Sequence, residues 1–344
     1  MTTPSETLVL VTGGTGFLGS HCVLQLLNQG YQVRTTLRNL KRADEVINML
    51  QNGGASTIDK LSFIQADLSS DLNWEKAVEG CEYVLHVASP FPFKMPKDEN
   101  ELIKPAVDGT LRVMKAASKI GVKRLVLTSS FAAIGYSDKG EKPFTEEDWT
   151  DPDDKHISAY VKSKTLAEKA AWNFIKEGNT EMELSVINPR FILGPILGAK
   201  LGTSHTVIQQ LLDGSMKAMP NISYGIIDVR DVADLHLRAM THPAAKGERF
   251  LASSGDPMTF LDMALLMKKE LGEKASQTST RVYPNWLVRV VSLFNPAARG
   301  IVSQLGKTIH SLNDKGTYLL DWQPRSREKA VISAARSVLK VSGE

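Results

Sequence analysis

Leu8-Val-Leu-Val-Thr12-Gly-Gly-Thr-Gly-Phe-Leu-Gly19 decides the fold of this chain. The unbroken apolar run from Leu8 to Val11 reads as a short strand buried on both faces, the pattern of a parallel sheet. Thr12 to Gly19 is a glycine turn, and the pattern beyond it predicts a helix over 17–29 that stops at Gly30. The turn satisfies Gly-x-Gly-x-x-Gly through Gly14, Gly16 and Gly19, and Gly-x-x-Gly-x-x-Gly through Gly13, Gly16 and Gly19. Either spacing gives a tight turn, a close approach of backbone to ligand, and a helix N-terminus aimed at anionic oxygens. Between a strand and a helix, that is the signature of dinucleotide binding. Thr12, Gly13, Gly14, Thr15, Gly16, Phe17, Leu18 and Gly19 are the candidate contacts.

Outward from the turn, strand and helix patterns alternate. Strands are predicted over 31–37, 61–66, 83–87, 124–128 and 184–187, and helices over 43–51, 102–119 and 159–176. This order implies an α/β fold, a Rossmann-type doubly wound parallel sheet covered by helices. After Pro189 the rhythm degrades. Residues 1–190 are therefore read as the cofactor-binding Rossmann domain, with returning strands around 225–250, and 191–344 mainly as a smaller, partly interleaved substrate-binding lobe.

Bulk properties exclude several classes. A net charge of +3, spread along 344 residues without a basic block, gives no footprint for nucleic acid. Two cysteines, Cys22 and Cys81, cannot build a disulfide framework or a metal site, and both are expected as buried free thiols. The N-terminal stretch has no secretory pattern. The apolar segment Trp286 to Phe294 is too short to span a membrane, contains Arg289, and is read as a buried or groove-lining amphipathic helix. A cytoplasmic location without membrane association follows as the expectation.

The end of the second strand separates NAD from NADP. An NAD enzyme usually places a carboxylate there, on the ribose hydroxyl. This chain has Thr36-Leu37-Arg38, with Lys41 and Arg42 close behind. A guanidinium suits a 2′-phosphate, so NADP is the expected cofactor, with Arg38 and Lys41 as contacts. Asp67-Leu68 ends the third strand, where an adenine contact is expected.

Tyr160-Val-Lys-Ser-Lys164 is the candidate reaction centre. Positions i and i+4 share a helix face, and a cation beside a phenol favours the phenolate and lowers its pKa. The spacing alone is weak evidence, because many chains contain it. Lys162 projects from another face and is read as a surface charge. His86 is read as a core histidine, and Glu146 to Asp154 as a solvated acidic loop.

Together these stretches resemble the extended short-chain dehydrogenase/reductase family. The likeness covers nearly the whole chain and includes Val87-Ala88-Ser89-Pro90, Leu127-Thr-Ser-Ser130, Asn188-Pro189-Arg190, Asp228-Val-Arg-Asp231 and Asp321-Trp-Gln-Pro-Arg325. Thr35-Thr-Leu-Arg38 and Ile103-Lys-Pro105 look most like the dihydroflavonol-reductase-like branch, which also holds cinnamoyl-CoA, aldehyde and methylglyoxal reductases. The resemblance implies that Tyr160 donates a proton to a carbonyl oxygen, that Lys164 holds the nicotinamide ribose and tunes Tyr160, and that Ser130 hydrogen-bonds the same oxygen. It adds Val87, Ala88, Ser89, Thr128 and Pro189 to the cofactor contacts. Phe91, Phe93, Phe131 and Tyr136 follow strand ends and are the candidate substrate-lining residues.

Two departures narrow the substrate. Pro189-Arg-Phe-Ile-Leu-Gly-Pro195 differs from the pattern of sugar-nucleotide members, and Gly135 stands near the place where plant dihydroflavonol reductases carry asparagine. The implied activity is NADPH-dependent reduction of a small aldehyde or ketone, aromatic or α-keto, by a monomer or homodimer. A same-fold hydroxy-compound dehydrogenase or epimerase is the competing reading. A non-enzymatic NADP-sensing protein is a third, opposed by the presence of Ser130, Tyr160 and Lys164.

Overall fold

In the computed structural model, which describes residues 3–90, 98–140, 142–178, 180–295, 298 and 300–343, the apolar run becomes β1 (Leu8–Thr12). It is followed by α1 (Phe17–Asn28), β2 (Gln32–Leu37), α2 (Ala43–Asn52), β3 (Leu61–Gln65), α3 (Trp74–Val78) and β4 (Tyr83–His86). Then come α4 (Asn100–Ile120), β5 (Arg124–Thr128), α5 (Ala159–Glu177), β6 (Glu183–Pro189), β7 (Phe191–Leu193), α6 (Thr203–Leu212), β8 (Ser223–Tyr224) and β9 (Ile226–Asp228). The chain continues through α7 (Val229–Thr241), β10 (Arg249–Ala252), β11 (Met258–Thr259), α8 (Phe260–Leu271), α9 (Asn285–Ser292), α10 (Asp314–Leu320) and α11 (Arg327–Ser342).

The main sheet has seven strands in the order β10-β6-β5-β4-β1-β2-β3, all parallel. Its strands read as continuous apolar runs because alternate side chains enter different cores. Val9 and Val11 pack with α1 and α7 on one face, whereas Leu10, Val84 and Leu125 pack with α3 and α4 on the other. The strand order reverses between β1 and β4, so a crevice opens at their C-terminal ends.

A third core lies outside the sheet. It joins Leu193 and Ile226 of the β7–β9 pair to Ile208, Met263, Met267, Val331 and Ala335 from α6, α8 and α11. Asp228-Val-Arg-Asp231 and the segment around Trp322 tie this part to the sheet. Trp322 is fully buried, its Nε1 donates to the Asp231 carbonyl at 2.9 Å, and the Asp231 carboxylate accepts the Arg325 backbone N–H at 2.7 Å.

Two stretches differ from their expected roles. The acidic run is not a solvated loop throughout, because Glu146 and Thr150 are buried against the sheet. The Glu146 carboxylate accepts the Leu251 N–H at 3.0 Å, and Arg249 donates to the Glu146 and Asp148 carbonyls at 2.7 and 2.8 Å. The run therefore satisfies the edge strand β10, which has no further strand beside it. The segment from Trp286 is helical but not buried: only Val288 and Ser292 of α9 are, while Trp286, Leu293 and Phe294 are 64%, 67% and 84% exposed. A helix this short presents one apolar turn to the lobe and the rest to solvent. Among the described residues no helix is long and apolar enough to cross a membrane.

Candidate active site

The glycine turn forms one end of a cleft of about 780 Å³ that crosses the C-terminal ends of β1, β2, β4, β5 and β6. Gly13 sits at φ +79°, the left-handed region where a β-carbon is strained. A β-carbon on Gly19 would lie 2.2 Å from the Gly13 carbonyl oxygen, so helix and turn meet only without one. Gly16 is the N-cap of α1 and supplies no capping side chain, which leaves the first N–H groups of the helix open to the cleft. That cradle fits a pyrophosphate, whose charge the uncapped helix end favours.

Thr15, Gly16, Phe17, Leu18 and Gly19 line the cleft, as does Gly13. Thr12 and Gly14 are buried behind it. Thr12 instead accepts the Ala88 N–H at 2.9 Å and lies 2.9 Å from His86 Nδ1, which clamps the ends of β1 and β4 together. Burial pulls His86 down to about 3, so the imidazole is neutral at pH 7.

At the far end of β2, Arg38 and Arg42 line the cleft, with Arg42 held by Glu45 at 2.7 Å. Lys41 does not line it; the tight turn over 40–42 carries the Lys41 side chain outward while its N–H donates to Asn39. Asp67 and Leu68 are present. The Asp67 carboxylate accepts from the Ser69 N–H and hydroxyl at 2.8 and 2.7 Å, capping its own turn, and these bonds lower its pKa. Val87, Ala88, Ser89, Thr128, Pro189 and Arg190 complete the walls. Thr128 is fixed from α7: His236 Nδ1 donates to the Val232 carbonyl, so its Nε2 accepts the Thr128 hydroxyl at 2.7 Å.

Ser130, Tyr160 and Lys164 converge at the other end of the cleft. Ser158 caps α5 by accepting the Val161 N–H, which starts the helix just before Tyr160. The Ser130 and Tyr160 hydroxyls are hydrogen-bonded, but burial outweighs that bond and raises the phenol above its ordinary value. The expected lowering by Lys164 is not seen here. The Lys164 ammonium turns to Ser89 Oγ at 3.0 Å, and its own burial drops it to about 8, with Glu168 opposing the fall.

Beneath these groups lies a buried network that the sequence reading missed. The Glu168 carboxylate accepts from the Ser129 hydroxyl, from Asn188 Nδ2 at 2.7 Å and from Arg249 Nε at 2.6 Å. Asn188 Nδ2 also reaches the Ser130 carbonyl at 3.1 Å. The signal was available: Glu168 continues the four-residue step from Tyr160 to Lys164 along one face of α5.

A second cavity of about 970 Å³ adjoins the first and is lined by Tyr136, Phe144, Tyr224, Ile301 and Ile309 among others. Tyr160 lines both, and no other described residue does. Tyr136 thus faces this second space. Phe131 lines neither: it is 5% exposed, and its ring lies against Gly135, where a β-carbon would overlap it at 2.0 Å. Phe91 and Phe93 fall outside the described residues. Lys162 pairs with Glu99 at 2.8 Å, away from the catalytic face.

The sequence pattern of the NAD-dependent epimerase/dehydratase family matches residues 9–252. The chain belongs to that family. A cinnamoyl-CoA reductase of Medicago truncatula is 39% identical over 71% of this chain and 75% of its own length. A dihydroflavonol 4-reductase of Callistephus chinensis is 34% identical over 78% of this chain and 74% of its own. Among solved structures, the yeast methylglyoxal/isovaleraldehyde reductase Gre2 complexed with NADPH superposes with a TM-score of 0.79 at 27% identity, covering 98% of this chain and 99% of that one.

Proposed function

We propose that this chain is an NADPH-dependent reductase that converts the carbonyl of a small aldehyde or ketone, aromatic or α-keto in type, to the alcohol. The observation that carries this reading is the position of Tyr160, hydrogen-bonded to Ser130 where a dinucleotide-shaped cleft meets a second cavity. The cofactor supplies the hydride when bound. Tyr160 supplies the proton: its raised pKa keeps the hydroxyl protonated at pH 7, the form an acid needs. Ser130 donates to the same carbonyl oxygen and stabilises the charge that builds on it. Lys164, charged below about pH 8 and resting on Ser89, is left to hold the nicotinamide ribose.

Arg38 and Arg42 at the β2 end support NADPH over NADH. Replacing Arg38 with serine is expected to raise the KM for NADPH by about tenfold or more while NADH turnover is unchanged, since a charge-assisted contact is lost. Loss of NADPH absorbance with a panel of aromatic and α-keto aldehydes tests the whole reading. Equal turnover with NADH and NADPH at matched subsaturating concentrations would overturn the cofactor assignment. The reading includes a cytosolic location, action as a monomer or homodimer, and a division of the chain near residue 190 into cofactor and substrate parts.

A further inference from the structure

Several arginines of this interior are matched by carboxylates, and Arg34 is satisfied by the Lys76, Ala77 and Glu79 carbonyls. Arg124 meets Glu183, Arg249 meets Glu168 and Arg230 meets Asp228, each at 2.6 Å. Arg190, at the end of β6, is different. Its guanidinium lies 4.1 Å from the centre of the Phe131 ring and donates from Nη1 to the Ile309 carbonyl at 2.8 Å and to Ser311 Oγ at 3.0 Å. All these partners are neutral. No carboxylate among the described residues pairs with it, and its Nε and Nη2 have no hydrogen-bond partner among them. Gly225 packs against the guanidinium so closely that a β-carbon there would sit 2.2 Å from Nε, which fixes the group in place. Arg190 lines the catalytic cleft beside Ser130, Tyr160 and Lys164.

An uncompensated charge held in a desolvated wall is unfavourable unless something later neutralises it. Burial lowers this guanidinium to about 10, which still leaves it charged at neutral pH. A guanidinium with an open N–H edge is shaped for a carboxylate, which it can grip through two parallel hydrogen bonds.

We propose that Arg190 is a specificity-determining residue for an oxo acid, an aldehyde or ketone whose own carboxylate docks on the free guanidinium edge while Tyr160 and Ser130 engage its carbonyl oxygen. This rests on the reductase reading and narrows its substrate class. Packing against Phe131 and the 309–311 segment positions the charge, and with no carboxylate on it among the described residues it is left for the ligand.

The test compares acids with their methyl esters: glyoxylate and the ortho, meta and para carboxybenzaldehydes, each beside its ester, assayed by NADPH oxidation. At least one acid is expected to exceed its ester in kcat/KM by about tenfold or more, the scale of a hydrogen bond to a charged group. In Arg190→Gln that ratio falls to near one, mainly through KM, and Arg190→Lys recovers part of it. A wild-type protein that reduces the esters and prefers no acid overturns the inference and leaves the reductase reading standing. So does a variant that loses acid and ester activity in equal measure, since Arg190 would then be a packing residue. If no aldehyde oxidises NADPH, the reductase reading fails and takes this inference with it. Should Arg190→Gln not fold, the wild-type ratio alone decides.

Discussion

The floor and the rim of the catalytic cleft are built in opposite ways. On the floor, under the ends of β5 and β6, each charge has its counterpart: Glu168 takes four donors, the Trp172 indole at 3.3 Å among them, and Arg249 is stacked 3.8 Å from the Trp149 ring and bonded to two carbonyls. On the rim, Arg190 has only neutral partners among the described residues, and Tyr136 and Tyr224 face open space. A charge-paired network holds strand ends in register, because disturbing one member strands the others in a low-dielectric interior. An open one leaves interaction energy for a ligand. The contrast separates residues that build the site from those that choose what enters it.

Tyr160 stands where floor and rim meet, and its loss should have the largest effect. Tyr160→Phe is expected to lower kcat by about 10²–10⁴-fold while the thermal midpoint stays within a few degrees. Near-wild-type turnover would remove the phenol from the chemistry. Next, Glu168→Gln should destabilise the fold by about 3–5 kcal/mol in urea titration, because it leaves Arg249 buried without its counter-charge. Arg190→Met should lower the same unfolding free energy by no more than about 1–2 kcal/mol, since it removes hydrogen bonds to neutral acceptors and strands no counter-charge. Equal losses for the two variants would erase the distinction between floor and rim.

A separate effect concerns pH. Burial holds His86 at about 3 and His236 at about 4, below the ordinary 6.5. The unfolded chain binds these protons first, so the stability that neutral imidazoles provide is complete above pH 6.5 and is lost as pH falls toward 4. The free energy of unfolding, measured between pH 7 and 4.5, should decline along that window, and His86→Asn should flatten the slope. An unchanged slope in that variant would show that His86 is not among the groups that take up protons.

Much of this architecture was legible in the chain. Leu8 to Gly19 announced strand, turn and helix because local chemistry dictates each: apolar faces, absent β-carbons, an uncapped helix start. The predicted strands coincide with β1 to β6 to within a few residues. Tyr160, Lys164 and Ser130 were legible through spacing and resemblance. What escaped notice depends on long-range pairing. Arg249 lies 81 residues from Glu168, and nothing in either neighbourhood announces the bond. Phe131 looked like a pocket wall because it follows a strand end, but direction after a strand depends on the next turn, and here that turn folds the ring onto Gly135. The acidic run reads as hydrated because its charge is local, whereas the Leu251 amide that Glu146 accepts lies 105 residues away.

That acceptor has a consequence for how molecules of this protein can meet. The outer side of β10 is where a strand from a second copy would otherwise attach, by offering its carbonyls to unpaired amides. Glu146 already occupies the Leu251 amide. Glu146 therefore removes one amide from strand-to-strand pairing along this border, and the Leu251 proton should exchange with deuterated solvent slowly for a residue on an outermost strand.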